Sequence, residues 1–110
     1  MKVSSVKELF EERIPQKLQA HPDVIEKIGA VFQFEVSGPE GGSWFVDLAK
    51  AGGAVGAGTS PDAKCVVSVK DSDLIALVNG SLGAGMAFMT GKIKIKGDYG
   101  LAMKLSQVLS

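Results

Sequence analysis

The sequence has few of the residues from which catalytic and metal sites are usually built. Its 110 residues include one histidine, His21, and one cysteine, Cys65. A single cysteine excludes an internal disulfide and is typical of a reducing compartment. A serine or cysteine nucleophile usually needs a base such as histidine within hydrogen-bond reach, and a zinc site needs several such ligands, so neither is favoured. We therefore expect no enzymatic activity, no metal and no cofactor.

An excess of charge of one sign and long hydrophobic runs are also absent. Twelve basic and twelve acidic residues cancel, whereas a protein dedicated to nucleic acid would carry a basic excess. No apolar run approaches the ~20 residues of a membrane span, and the N-terminus lacks the apolar stretch of a signal peptide. We therefore expect a soluble, cytoplasmic protein that does not bind nucleic acid. Its length predicts a single domain over residues 1–110.

Residues 5–29 have the spacing of two helices. Ser5 precedes Glu8 by three residues, which is the spacing of a capping box. Apolar residues then recur at helical intervals, and Pro15 is expected to kink this first helix or to end it. The second helix is expected to begin at Pro22 and to stop at Gly29.

Four segments have the alternation of apolar and polar residues that is typical of β-strands, and a fifth, between the second and the fourth, is expected to be a further strand. They span residues 30–36, 43–48, 51–60, 63–70 and 92–96. In the first segment Phe32, Phe34 and Val36 are predicted to form the one buried face, with Gln33 on the other face. The third segment is rich in glycine, so a flexible loop is the alternative to a weak edge strand.

The remaining elements are predicted to be helices. Asp71 and Asp73 are placed to cap a helix that ends near Asn79. In the short segment that follows, Gly83 and Gly85 each lower helix stability by about 1 kcal/mol relative to alanine. A last helix follows the turn at residues 97–98. This order of elements predicts an α+β fold, in which one sheet is covered by helices on a single face.

The last helix carries more apolar surface than one core-facing stripe requires. The predicted core stripe consists of Leu101, Leu105, Val108 and Leu109. A further apolar side consists of Tyr99, Ala102 and Met103. Such a surplus, with the adaptable side chains of Met86 and Met89 nearby in sequence, indicates a cavity for an apolar ligand. A helix that is simply buried on two sides is the alternative.

Lysines alternate with isoleucines in the strand predicted at 92–96. Lys92, Lys94 and Lys96 therefore share one face. These lysines either form a strip that contacts an anionic group or keep a sheet edge solvated and protected from pairing.

Residues 87–105 read Ala-Phe-Met-Thr-Gly-Lys-Ile-Lys-Ile-Lys-Gly-Asp-Tyr-Gly-Leu-Ala-Met-Lys-Leu. This segment resembles the signature of the sterol carrier protein 2 (SCP2) lipid-transfer domain, and the likeness extends over essentially the whole chain. The resemblance implies a five-stranded mixed sheet, mostly antiparallel, with helices packed on one face. It also implies a non-enzymatic domain that carries fatty acids, fatty acyl-CoA, sterols or phospholipids in a hydrophobic tunnel.

By matched position, the resemblance places the tunnel lining in the helix before Asn79, in the glycine-containing segment and in the last helix. The predicted lining residues are Leu74, Leu77, Val78, Leu82, Met86, Phe88, Met89, Leu101, Met103 and Leu105. Lys92, Lys94 and Lys104 are predicted to contact the head group of the ligand.

The family is often fused to enzymes of peroxisomal β-oxidation, so an acyl-CoA-metabolising enzyme is an expected partner, together with transient contact with a membrane. The chain ends at Ser110 without the Ser-Lys-Leu type of tripeptide that directs import into peroxisomes, which favours a cytoplasmic location. The alternative function is a small interaction or accessory domain that supplies acyl substrate to an associated enzyme.

Overall fold

The computed structural model describes residues 3–50 and 53–109, with the side chains of 84 and 105–109 left aside. The strands are β1 (Val31–Ser37), β2 (Gly42–Asp47), β3 (Ala54–Ala57), β4 (Cys65–Lys70) and β5 (Ile93–Gly97). They form one five-stranded sheet in the order β3-β2-β1-β4-β5. Strand β1 pairs in parallel with β4, and the other neighbouring strands pair in antiparallel fashion. The predicted mixed, mostly antiparallel sheet is therefore confirmed, and the glycine-rich segment does form an edge strand.

Helices precede β1, connect β4 to β5 and follow β5. They are α1 (Val6–Glu8), a π-helical turn (Leu9–Arg13), α2 (Ile14–Ala20), α3 (Pro22–Ile28), α4 (Asp71–Val78), α5 (Ala84–Met89) and α6 (Tyr99–Leu109). The Ser5 hydroxyl accepts a hydrogen bond from the Glu8 N–H at 3.1 Å, which confirms the predicted cap. Gly29 ends α3 in the left-handed conformation, at φ 56°.

Pro15 does not end the first helix, which was one of its two expected effects. The chain stays helical from Val6 to Ala20, and the turn before the proline is π-helical. The Ile14 N–H donates to the carbonyl of Leu9, five residues back. Proline lacks an N–H and its ring crowds the preceding turn, so we attribute the helix's passage through Pro15 to the wider π-helical turn.

The hydrophobic core lies between the helices and one face of the sheet. Phe10, from the π-helical turn, is at its centre: its ring stacks on Trp44 at 4.9 Å and meets Phe34 edge-on at 5.3 Å. Strand residues Val46, Cys65 and Val67 are buried in the same cluster. Such aromatic pairs contribute about 1 kcal/mol each beyond the area that they bury, so they fix α1–α2 against β1 and β2.

The second face of β1 was predicted to be open, and this is wrong at Gln33, which is only 2% exposed. Its amide donates to the carbonyl of Gly58 at 3.0 Å and accepts from the N–H of Ser60 at 2.7 Å. The loop after β3 therefore folds back over the central strand. Because both hydrogen-bonding groups of the amide are satisfied, the polar side chain is tolerated in this buried position.

The cap position of α4 is Lys70, without a side-chain cap hydrogen bond, so the prediction that Asp71 and Asp73 cap this helix is wrong. Asp71 lies in the first turn of the helix. Its carboxylate accepts from the Ser72 N–H at 2.7 Å and from the Glu40 N–H at 2.9 Å. These bonds tie the β1–β2 turn to the start of α4, and the hydrogen bond from Glu40 holds the pKa of Asp71 below its usual value. The turn passes so close that a side chain at Gly38, where φ is 101°, would collide with this carboxylate.

Candidate functional site

Helix α5 packs on the edge strand β5 with a small side chain facing inward. Ala87 is fully buried, while the larger residues around it point outward. The helix begins after Gly83, which has no side chain to cap it, and its C-cap residue is Thr90. The carbonyl of Met86 accepts both from the Thr90 N–H at 3.0 Å and from the Thr90 hydroxyl at 2.8 Å, so Thr90 closes the last turn of the helix.

Helix α6 also turns a small side chain toward the core. It starts after Asp98, whose carboxylate accepts from the N–H of Leu101 at 3.1 Å. Ala102 is buried in the core and Leu101 packs against the core. Sequence reasoning placed Ala102 with Tyr99 and Met103 on a further apolar side, and this is wrong because Ala102 faces the core.

Large apolar side chains remain at the surface where α5 meets α6. This apolar patch consists of Met86, Phe88, Met89, Tyr99 and Met103, which are from 44% to 84% exposed. The rings of Phe88 and Tyr99 meet edge-on at 5.5 Å and join the two helices. Tyr99 and Met103 are four residues apart and so share one side of α6. This spacing was the signal that could have placed Tyr99 in the predicted site.

The predicted lining residues fall into groups that differ in burial. Leu74 and Val78 of α4 are buried in the core. Three residues are partly buried: Leu77, Leu82 and Leu101. Four belong to the apolar patch, namely Met86, Phe88, Met89 and Met103. The side chain of Leu105 lies outside the described residues, and the lining of a tunnel by this set stays a prediction.

Lysines gather on the other face of the sheet, beside the same edge strand. A cleft of about 490 Å³, which we call the lysine cleft, has among its lining residues Lys70, Lys92, Lys94, Glu35 and Asp73. Lys94 is paired with Ser68 and Lys70 with Ser37, which sets both lysines on the face opposite the core. Lys70 was not predicted, since it joins the other two only through the pairing of β4 with β5. Lys104 is exposed on α6 and does not line this cleft.

The histidine and the cysteine of the chain lie in contrasting environments. His21 is exposed at the junction of α2 and α3, and Cys65 is buried in β4. Burial, with the nearby charge of Asp98 as a smaller cause, raises the pKa of the Cys65 thiol and disfavours the reactive thiolate. Within the described residues, no three histidine, cysteine or acidic side chains are grouped so that they could hold a metal ion.

None of the helices in the described ranges has the length and apolar character required to cross a membrane.

Comparison with known proteins identifies the family and the fold of this chain. The model of the SCP-2 sterol transfer family matches residues 8–110. Hydroxysteroid dehydrogenase-like protein 2 of Mus musculus is 45% identical over 89 residues, which is 80% of this chain and 18% of that protein. The chain thus spans about a fifth of the length of such relatives.

Solved structures agree with this assignment. Sterol carrier protein 2 from Yarrowia lipolytica, in its apo form, superposes with a TM-score of 0.73 at 30% identity, over 94% of this chain and 82% of that one. The palmitated SCP2L2 from Aedes aegypti, solved by solution NMR, superposes with a TM-score of 0.69 at 28% identity, over 96% and 95%. The fold is that of sterol carrier proteins, and the chain belongs to the SCP-2 sterol transfer family.

Proposed function

We propose that this protein binds and transfers lipids without catalysing a reaction. The lipid's apolar part would lie between α4, α5, α6 and the sheet. Fatty acids, fatty acyl-CoA, sterols and phospholipids are the candidate ligands, and palmitate is the first to test because the similar Aedes aegypti protein is palmitated. The cytoplasmic location stays a prediction.

One observation carries this proposal: α5 and α6 turn alanines toward the core and hold large apolar side chains in water. Ala87 and Ala102 face inward, while Met86, Met89 and Met103 are exposed. Burying one such large side chain fully would contribute about 1.5–3 kcal/mol, so their exposure is unfavourable in the protein alone. If α5 and α6 turn when a ligand enters between them and the sheet, these side chains could pack on the ligand and leave the water. The ligand's acyl chain would then take the place that the small alanines leave.

Transfer of an acyl chain out of water supplies the driving force. At about 0.8 kcal/mol per methylene, a sixteen-carbon chain gives a gross term on the order of 12 kcal/mol, which the cost of ordering protein and ligand reduces. The lysines supply specificity for an anionic head group. Lys92 directly precedes β5, Lys94 lies on β5 and Lys104 lies on α6. A carboxylate or phosphate held at the mouth could reach them.

The test is binding of palmitate to the purified protein, followed by native mass spectrometry and by calorimetry. We expect a one-to-one complex, and we expect Ala102→Leu to weaken it strongly because leucine would fill the space against the core. Gln19→Leu adds the same side chain at an exposed position of α2 and should bind as the parent does. Circular dichroism checks that both variants fold, since overpacking costs about 1–3 kcal/mol. A parent protein that takes up no palmitate would contradict the proposal.

A second function is favoured by the length of the relatives. The matched segment is 18% of the mouse hydroxysteroid dehydrogenase-like protein, so in that protein it is one part of a longer chain. By analogy, this chain could present acyl substrate to a separate enzyme that metabolises acyl-CoA. A pull-down from its own cells should then recover such an enzyme as a stable partner, and the recovery should fall with the Ala102→Leu variant if the lipid is what is presented.

A further inference from the structure

We propose that the free edge of β5 binds an extended segment of a partner protein in which acidic and apolar residues alternate. The segment would pair with β5 as a sixth strand of the sheet, through backbone hydrogen bonds. This goes beyond lipid binding, because it concerns recognition of another protein and does not require that a lipid be bound. In the bound segment, the acidic residues face the lysines of β5 and the apolar residues continue the row of its isoleucines.

The pairing of β5 with β4 shows which backbone groups of β5 point away from the sheet. In an antiparallel pair, residues that exchange hydrogen bonds alternate with residues that exchange none. The Asp98 N–H, one residue beyond β5, donates to the carbonyl of Lys64 at 3.3 Å. By alternation, Lys94 also exchanges hydrogen bonds with β4, whereas Ile93 and Ile95 direct their N–H and C=O groups outward. Because β5 is the last strand of the sheet, these outward groups pair with no other strand within the described residues.

The side chains of β5 differ in chemistry between the two faces of the strand. Ile93 and Ile95 are partly buried and pack against the core. Lys94 is exposed on the other face, and Lys92, just before the strand, and Lys96 follow the same alternation. A strand laid beside β5 alternates in the same way. It would therefore place apolar residues beside the isoleucines and acidic residues beside the lysines, and opposite charges on neighbouring strands are stabilising.

Charge complementarity identifies the partner segment as acidic. Residues 84–104 contain four lysines and one aspartate, a net charge of 4 − 1 = +3, whereas residues 3–28 contain four basic and five acidic residues, a net charge of 4 − 5 = −1. The zero charge of the whole chain therefore conceals an uneven distribution. Lys92, Lys94 and Lys96 are exposed, and none of them forms an ion pair with the described residues. Their charges are thus available to an acidic strand.

The same lysines disfavour a second copy of this chain as the occupant. If two β5 strands paired in antiparallel fashion through their outward groups, isoleucines would lie opposite isoleucines and each lysine would lie opposite a lysine. Like charges directly opposite one another are destabilising, and lysines on an edge strand commonly prevent such pairing. An acidic strand turns this repulsion into attraction. The other edge strand, β3, has the sequence Ala-Val-Gly-Ala, without a charged residue, and so lacks this selectivity.

The test is fluorescence anisotropy of a labelled peptide added to the purified protein in the absence of lipid, at about 0.1 M salt, where charge attraction still acts. The peptide has a core of about seven residues, an ordinary strand length, in which glutamate and valine alternate. We expect it to bind, and we expect a peptide with lysine in place of glutamate to bind little. The triple variant Lys92→Gln, Lys94→Gln, Lys96→Gln should weaken binding about tenfold, at about twofold for each pair of opposite charges.

A matched triple variant controls for the loss of charge. Lys7→Gln, Lys27→Gln, Lys50→Gln removes the same charge from exposed positions outside α5, β5 and α6 and should change binding little. Exposed substitutions of this kind usually change stability by less than about 0.5 kcal/mol, so both triples should fold, which circular dichroism checks.

Backbone pairing is tested by changing the peptide and leaving the protein as it is. In an antiparallel pair the valines would lie opposite Ile93 and Ile95 and direct their N–H groups toward β5. A methyl group on the valine nitrogens should therefore abolish binding. A methyl group on the glutamate nitrogens, which face away from β5, should leave binding intact. Hydrogen exchange at the amides of Ile93 and Ile95 should slow when the unmethylated peptide binds.

The outward amides of β3 are an internal control for this exchange measurement. The Gly58 N–H donates to the carbonyl of Ser43 at 2.8 Å, so by the same alternation Val55 and Ala57 direct their amides outward from β3. Their exchange should be unchanged by the peptide. Equal binding by the two lysine triples, equal binding by the two methylated peptides, or self-association of the protein in place of peptide binding would each overturn the proposal. Uptake of palmitate is measured without the peptide, so failure of this recognition and failure of lipid binding are distinguishable.

Discussion

Helix α5 should control how fast a lipid leaves, and Gly85 allows this to be tested with one methyl group. A Cβ at Gly85 would meet no other atom within 4 Å, and its φ is not positive. Gly85→Ala is therefore free of strain and should stabilise α5 by up to about 1 kcal/mol, the difference in helix propensity. If α5 must lose its helical conformation for a lipid to leave, the barrier to release rises by the same amount.

A rise of about 1 kcal/mol in the barrier slows release about fivefold, since each 1.36 kcal/mol is a factor of ten. The assay is stopped-flow transfer of a fluorescent fatty acid from the loaded protein to acceptor vesicles. Gly85→Ser should give an intermediate rate because serine has an intermediate helix propensity. Gln16→Ala, at an exposed position of α2, raises helix propensity away from α5 and should leave the rate unchanged.

The reasoning would be refuted by an unchanged release rate in a Gly85→Ala protein whose α5 amides are better protected from hydrogen exchange. That result would mean that the helix is stabilised and yet does not limit the exit of the lipid.

Three further predictions concern stability and reactivity. Asn79→Ala should lower the free energy of unfolding by about 2 kcal/mol in a urea titration, because it removes two hydrogen bonds to the backbone of Val3, of 2.7 and 2.8 Å, each contributing about 1 kcal/mol; an unchanged midpoint would contradict this. Asp71 has a pKa held below 3.8, so its contribution is present above that pH and is lost as the pH falls through the folded-state pKa. The difference in melting temperature between the parent and Asp71→Asn should thus shrink in acid, and a constant difference would exclude the carboxylate as its source. Cys65 should react with a thiol reagent at about pH 8 only when the protein unfolds, and rapid reaction of the native protein would show that β4 is accessible.

The sheet was predictable because its strands carry their pattern locally. Alternation located β1, β4 and β5, and turn residues separated β1 from β2. The open face at Gln33 and the helix end at Pro15, one of its two expected effects, were mispredicted for a shared reason. The burial of Gln33 depends on a loop that returns over β1 from 25 residues away. The passage of the first helix through Pro15 depends on a π-helical turn, for which no sequence pattern was recognised.

The lysine cleft shows the same limit at the candidate site. The alternation in the sequence was enough to set Lys92 and Lys94 on one face. Lys70 joins them because β4 lies between β1 and β5, and that placement follows from a crossover connection that local patterns do not encode. The grouping of these lysines at this edge of the sheet therefore follows from the order of the strands.

Apolar residues lie on more than one side of α5 and of α6, so the sequence does not predict which side of each helix faces the core. This ambiguity bears on function. Met103 and its neighbour Ala102 are both apolar, yet the structure buries the small residue and exposes the large one. Likewise, Ala87 is buried while its larger neighbours Met86 and Phe88 are exposed. A helix that is apolar on more than one side can change what it covers without exposing a charge to the core. If the proposed lipid binding holds, α5 and α6 would accommodate a lipid in this way: the alanines fit against the core when the lipid is absent, and the methionines would adapt to its shape when it is present.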